Sequence, residues 1–106
     1  QNIVQLPAVP PHTEPNWHIY AIRFKKEAYA AYFLDEMQKY GIGVSTHYVM
    51  LHSSPMGKKI AGGGYEHLPV TESVVKTLVR LPIYPGLTNK ELKYIIKEAR
   101  KIISSF

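Results

Sequence analysis

The densest run of chemistry-bearing side chains is Ser45-Thr46-His47-Tyr48-Val49-Met50-Leu51-His52-Ser53-Ser54, with two imidazoles, one phenol and four aliphatic hydroxyls. His47 and His52 are five residues apart, so a continuous strand would point them to opposite faces, and no carboxylate lies nearby in sequence to complete a metal's ligand set. Binding suits the run better, because an imidazole and a phenol at a strand's end can donate to sugar hydroxyls or phosphates while the strand keeps them rigid. A histidine bonded to a backbone group explains the same residues without a ligand, and both readings stand on the residues alone. Ser-His-Asp hydrolysis is poorly served, since Asp35 is the only aspartate and falls on the polar side of a helix.

Two further candidates are weaker. Gly57-Lys58-Lys59 resembles the end of a phosphate-binding loop, but that loop needs a glycine where this chain has His52 and a Ser or Thr where it has Lys59. A flexible surface loop is the plainer reading, although Lys58 and Lys59 could meet an anion. The basic residues of the last helix, Lys93, Lys97, Arg100 and Lys101, invite comparison with a nucleic-acid surface. Glu91 and Glu98 interrupt that charge, and the strands lack the aromatic pattern of an RNA-binding sheet, so a solvated helix face is expected.

The elements that must position these residues are legible from periodicity. Residues 1–17 contain Pro7, Pro10, Pro11 and Pro15 and read as an extended linker or first strand. From His18 to Phe24 the residues alternate, with Tyr20, Ile22 and Phe24 on one face and Ile19, Ala21 and Arg23 on the other. Lys26 to Tyr40 predicts a helix with Ala30, Phe33, Leu34 and Met37 inward, stopped by Gly41. Ile42 to Met50 alternates again as a second strand. Ser53 to Pro69, with Pro55 and Gly62-Gly63-Gly64, predicts a helical turn and then a mobile loop.

Thr71 is placed to cap a short helix running to Leu78, with Glu72 in its first turn. Val79 to Tyr84 then predicts a third strand, at a sheet edge because Pro82 cannot donate to a ladder. Thr88-Asn89-Lys90-Glu91 is a capping box that opens the last helix, whose apolar residues are Leu92, Ile95, Ile96, Ala99, Ile102 and Ile103. Together these predict an α+β domain over residues 18–106 behind the 1–17 linker, with about three strands flanked by helices.

Composition bounds the function. Hydrophobic residues at 45% and charged residues at 20% are ordinary for a folded globular domain, which excludes disorder and fibres. The absence of cysteine excludes disulfides and thiolate metal sites, and with no secretory signal or long apolar stretch a cytoplasmic, non-membrane protein is expected. The net charge of +5 suits anionic partners but speaks to association rather than chemistry. The start without Met, in what reads as the middle of a connection, suggests a fragment or a cleaved product.

Read in order, Asn16-Trp17-His18-Ile19-Tyr20, Gly41-Ile42-Gly43-Val44-Ser45-Thr46-His47-Tyr48, His52-Ser53-Ser54-Pro55, Leu68-Pro69-Val70-Thr71-Glu72 and Leu81-Pro82-Ile83-Tyr84-Pro85-Gly86-Leu87-Thr88 resemble the C-terminal domain of DegT/StrS-type sugar aminotransferases. Within that family, His52 to Lys59 and Leu68 to Glu72 look closest to the dTDP-4-amino-4,6-dideoxygalactose transaminases. The resemblance implies the small C-terminal domain of the aspartate-aminotransferase fold, with a short, mostly antiparallel sheet. It also implies transfer of an amino group from glutamate to a keto sugar nucleotide by a pyridoxal-phosphate enzyme, homodimeric at full length.

By the same resemblance, His47 and Tyr48 match the family's His-Tyr pair and carry a substrate-contact role, with His52 as a further candidate. No lysine here falls in a segment like the family's Schiff-base motif. The cofactor is therefore expected on an absent large domain, and this piece alone is expected to be inactive. Two alternatives remain: a free-standing α/β module binding an anionic polymer, and a pyridoxal-phosphate sugar dehydratase of the same family.

Overall fold

The computed structural model describes residues 3–62 and 67–106. In chain order its elements are β1 (Val4–Gln5), β2 (Tyr20–Phe24), α1 (Glu27–Lys39), β3 (Ser45–Thr46), a 3-10 turn at Leu51–Ser53, α2 (Pro55–Ile60), α3 (Pro69–Thr77), β4 (Leu78–Leu81) and α4 (Asn89–Ile103). The architecture is the expected α+β class, but the sheet has four strands among the described residues, in the order β1-β2-β4-β3. The fourth comes from the Pro-rich lead-in, where Val4 and Gln5 pair with Phe24 and Arg23. Every pairing is antiparallel.

Two strand expectations are corrected by this pairing. The run 42–50 was expected to be a strand throughout, yet only Ser45 and Thr46 join the ladder, opposite Arg80 and Val79. In this register Thr77 would face Tyr48, and Thr77 is already helical, so the partner backbone runs out. At the other end the Val44 amide donates to the Ile42 carbonyl at 3.0 Å, a tight turn that takes the segment out of the ladder. The run 79–84 was expected at an edge. Instead β4 lies between β2 and β3 and stops at Leu81, which leaves Pro82 just outside the ladder where its missing donor does no harm.

The helix signals fare better. Gly41 adopts φ +71, a left-handed conformation that ends α1 as glycine readily can. Thr88 and Glu91 form both bonds of the capping box at the start of α4. The bonds from the Thr88 hydroxyl and amide hold the Glu91 carboxyl below its ordinary range. α3 begins earlier than expected: Leu68 is its N-cap and Pro69 opens the first turn, so Thr71 lies inside the helix. Proline favours that position because its fixed φ is helical and the missing amide would have been unpaired. The Glu72 carboxylate reaches back to accept from the Leu68 amide at 3.2 Å. The expected helical turn near residue 53 is the 3-10 turn and α2, while part of the expected mobile loop, 63–66, lies outside the described residues.

The core lies on one face of the sheet. Ile22, Phe24 and Val79 meet Ala30, Phe33 and Met37 of α1 and Ile95, Ala99 and Ile102 of α4, with Ile42 and Val44 completing it. Phe24, Phe33, Met37 and Val79 are fully buried, and each such side chain stabilises the fold by about 1.5–3 kcal/mol. Phe106 closes the cluster, its ring 4.6 Å from that of Tyr29. α4 packs against α1, which turns its buried stripe from the expected one to Ile95, Glu98, Ala99 and Ile102. Glu98, read as part of the polar face, is therefore buried. Tyr94 donates to the Tyr40 carbonyl at 3.0 Å and Lys101 to the Tyr40 hydroxyl at 2.9 Å, tying α4 to the end of α1.

Candidate functional site

The sheet's second face is built from the alternate residues of the same strands. Ala21, Arg80 and Ser45 lie side by side across β2, β4 and β3, and Arg23 lies further along β2. Arg23 is tied down: its guanidinium donates to Thr77 Oγ1 at 3.2 Å and Ser73 Oγ at 3.3 Å, both on α3. Arg80 makes no hydrogen bond or ion pair among the described residues. Its guanidinium carbon lies 5.9 Å from the centre of the Tyr48 ring, within range of a cation–π contact.

Tyr48 is 69% exposed and follows β3 directly. Its ring lies 4.7 Å from that of His47, tilted by 59°. His47 is half-buried in a depression of about 400 Å³ whose walls include Ala31 and Leu34 of α1 and Val75 of α3. Its Nδ1 is closed to solvent and has no hydrogen-bond partner among the described residues. A buried nitrogen left without a partner costs about 1–3 kcal/mol.

The structure brings His47 and Tyr48 together and gives His52 another partner. His52 Nε2 lies 3.4 Å from Glu72 Oε1, and His67 Nδ1 lies 3.1 Å from the same oxygen. The neighbouring hydroxyls serve the backbone: Ser53 donates to the Met50 carbonyl, and Ser54 both donates to the Leu51 carbonyl and caps α2 by accepting from the Gly57 amide. Gly57 has a packing reason, since a Cβ there would overlap the Leu51 carbonyl. Lys58 and Lys59 are exposed at the end of α2. Among the described residues no group of three His, Cys, Asp or Glu side chains is placed to hold a metal ion, and no helix is long and apolar enough to cross a membrane.

Sequence reasoning passed over Arg80. The signal was there, as a charged residue in the middle of an apolar strand, but its significance needed the neighbour that folding supplies.

With this geometry in hand, the chain can be compared with known proteins. The sequence pattern of the DegT/DnrJ/EryC1/StrS aminotransferase family matches residues 1–100. The chain belongs to that family. It is 32% identical over 101 residues to a dTDP-3-amino-3,4,6-trideoxy-alpha-D-glucose transaminase of Streptomyces venezuelae, covering 92% of this chain and 25% of the relative. A DegT DnrJ EryC1 StrS aminotransferase structure from Brucella abortus superposes with a TM-score of 0.76 at 26% identity, over 94% of this chain and 26% of that one. The Bacillus subtilis ntda structure with bound cofactor PMP shares the fold, with a TM-score of 0.78 at 20% identity, over 96% of this chain and 23% of that one. The chain thus spans about a quarter of the length of the curated relatives it matches.

Pyridoxal phosphate is the cofactor typical of this aminotransferase family, and the residues present do not fit it. All ten lysines are exposed, whereas a Schiff-base lysine needs a desolvated pocket that lowers its pKa. Lys39 illustrates the opposite condition, raised above its ordinary range by Asp35 and Glu36. Asp35, the lone aspartate, is occupied by Lys39 at 2.6 Å on the outside of α1. Neither group could act on a pyridine ring from there.

Proposed function

We infer that this chain is the small C-terminal domain of a pyridoxal-phosphate aminotransferase that moves an amino group from glutamate to a keto sugar carried on a nucleotide. The observation that carries the reading is the pair after β3: His47, with a buried and unpartnered Nδ1, in ring contact with an exposed Tyr48. The segment leaving β3 carries both side chains, with Tyr48 exposed and His47 half-buried against α1 and α3. An imidazole and a phenol so held can orient sugar hydroxyls and the carbonyl to be aminated. His52 enters as the residue that holds the following turn, through Glu72.

The Schiff-base lysine and the phosphate cradle belong to polypeptide outside this chain, so the chain alone is inactive; the family resemblance further implies a cytoplasmic homodimer at full length. The segments His52 to Lys59 and Leu68 to Glu72 favour a 4-keto-6-deoxyhexose linked to dTDP as the acceptor. The test is His47→Ala in the full-length enzyme. We expect weaker use of the keto sugar, with the cofactor's absorbance spectrum and the glutamate half-reaction intact. Unchanged steady-state kinetics would remove His47 from the site.

A further inference from the structure

We propose that Arg80 is an anion-binding residue of this site and takes the diphosphate of the nucleotide-linked substrate. The inference rests on the aminotransferase reading above and extends it to a residue and a ligand group. Arg80 lies on β4, inside the sheet, where the backbone cannot shift without breaking ladders on both sides. Its cross-strand neighbours are Ala21 and Ser45, two short side chains that leave space on either side of the guanidinium.

Arg23, on the same face, spends its donors on Ser73 and Thr77, whereas Arg80 spends none among the described residues. A half-buried fork of five donors, planar and permanently charged, matches the geometry of a phosphate. Its contact with Tyr48 places that fork beside the residue already assigned to the substrate.

The surroundings favour a diphosphate over the carboxylate of a free amino acid. Arg80 and Ser45 open onto a groove of about 480 Å³ at the sheet edge, lined further along by Ile19, Pro82, Tyr84 and Tyr94. A groove of mixed polar and apolar lining, with two phenols, that continues from a cation suits a ligand with an anionic middle and a flat, hydrogen-bonding end, as a nucleoside diphosphate has. Glu91 lines the same groove, but its Oε2 accepts from the Thr88 amide at 2.8 Å and the Thr88 hydroxyl at 2.6 Å, so its charge is engaged at the helix end.

The experiment uses the full-length enzyme with Arg80→Gln and Arg80→Lys. Thymidine and uridine diphosphates serve as competitive inhibitors of the keto-sugar half-reaction, and the glutamate half-reaction is followed separately by cofactor absorbance. For Arg80→Gln the inhibition constant of the diphosphates should rise about tenfold, the scale of one charge-assisted hydrogen bond. Arg80→Lys, which keeps the charge and loses the fork, should fall between Gln and wild type. The glutamate half-reaction should not change. An unaltered inhibition constant in both variants overturns the proposal, as does a loss confined to the glutamate half-reaction, which would assign Arg80 to the donor carboxylate. Absence of wild-type turnover with every nucleotide-linked keto sugar would remove the underlying functional reading instead.

Discussion

The two faces of this sheet come from the same strands and do different work. On one, Ile22, Phe24 and Val79 are closed off by α1 and α4. On the other, Ala21, Arg23, Arg80 and Ser45 stay half-buried or exposed. Alternation thus lets strands of two to five residues supply both a core and a binding wall, and substitutions on one face need not disturb the other.

The largest effect should come from the packed face. Phe33→Ala removes a ring with no exposure that lies 5.0 Å from the Phe24 ring, and should cost about 3–5 kcal/mol in urea unfolding of this chain. Arg80→Gln in the same assay should cost less than about 0.5 kcal/mol, because no contact among the described residues depends on its hydrogen bonds. Comparable losses for the two would make the second face another core and end the distinction.

A smaller effect divides the second face itself. Arg23→Met breaks two bonds to α3 and should destabilise by about 1–2 kcal/mol, clearly more than any Arg80 variant. Equal and negligible losses would mean that α3 is held by its apolar contacts alone, and that Arg23 is as available to a ligand as Arg80.

A further modest effect concerns how locally the packed side is held. Thr88→Ala should cost about 1 kcal/mol, the usual worth of a helix N-cap. Because the Glu91 carboxyl titrates below its ordinary range in the folded chain, its contribution is complete above the unfolded carboxylate range and fades as pH falls through the lower folded value. The stability gap between wild type and Glu91→Ala should therefore narrow on acidification from about pH 6 to about pH 3. A gap independent of pH would show that α4 is positioned by the sheet and α1, not by its own first turn.

Much of this was legible before folding, for reasons that differ by element. The alternation of β2, the inward stripe of α1 with its stop at Gly41, and the capping box of α4 are written within a few consecutive residues, and each appears as expected. The His-Tyr pair was legible as side-chain chemistry, although it was expected inside a strand that in the structure ends at Thr46. Tertiary structure alone decided where β3 ends, that β4 lies inside the sheet, that His52 meets Glu72 and that Arg80 stands over Tyr48. These depend on which distant backbone a strand finds beside it and where that partner stops. Local periodicity specifies a strand's two faces, but neither its neighbours nor the point at which its ladder runs out.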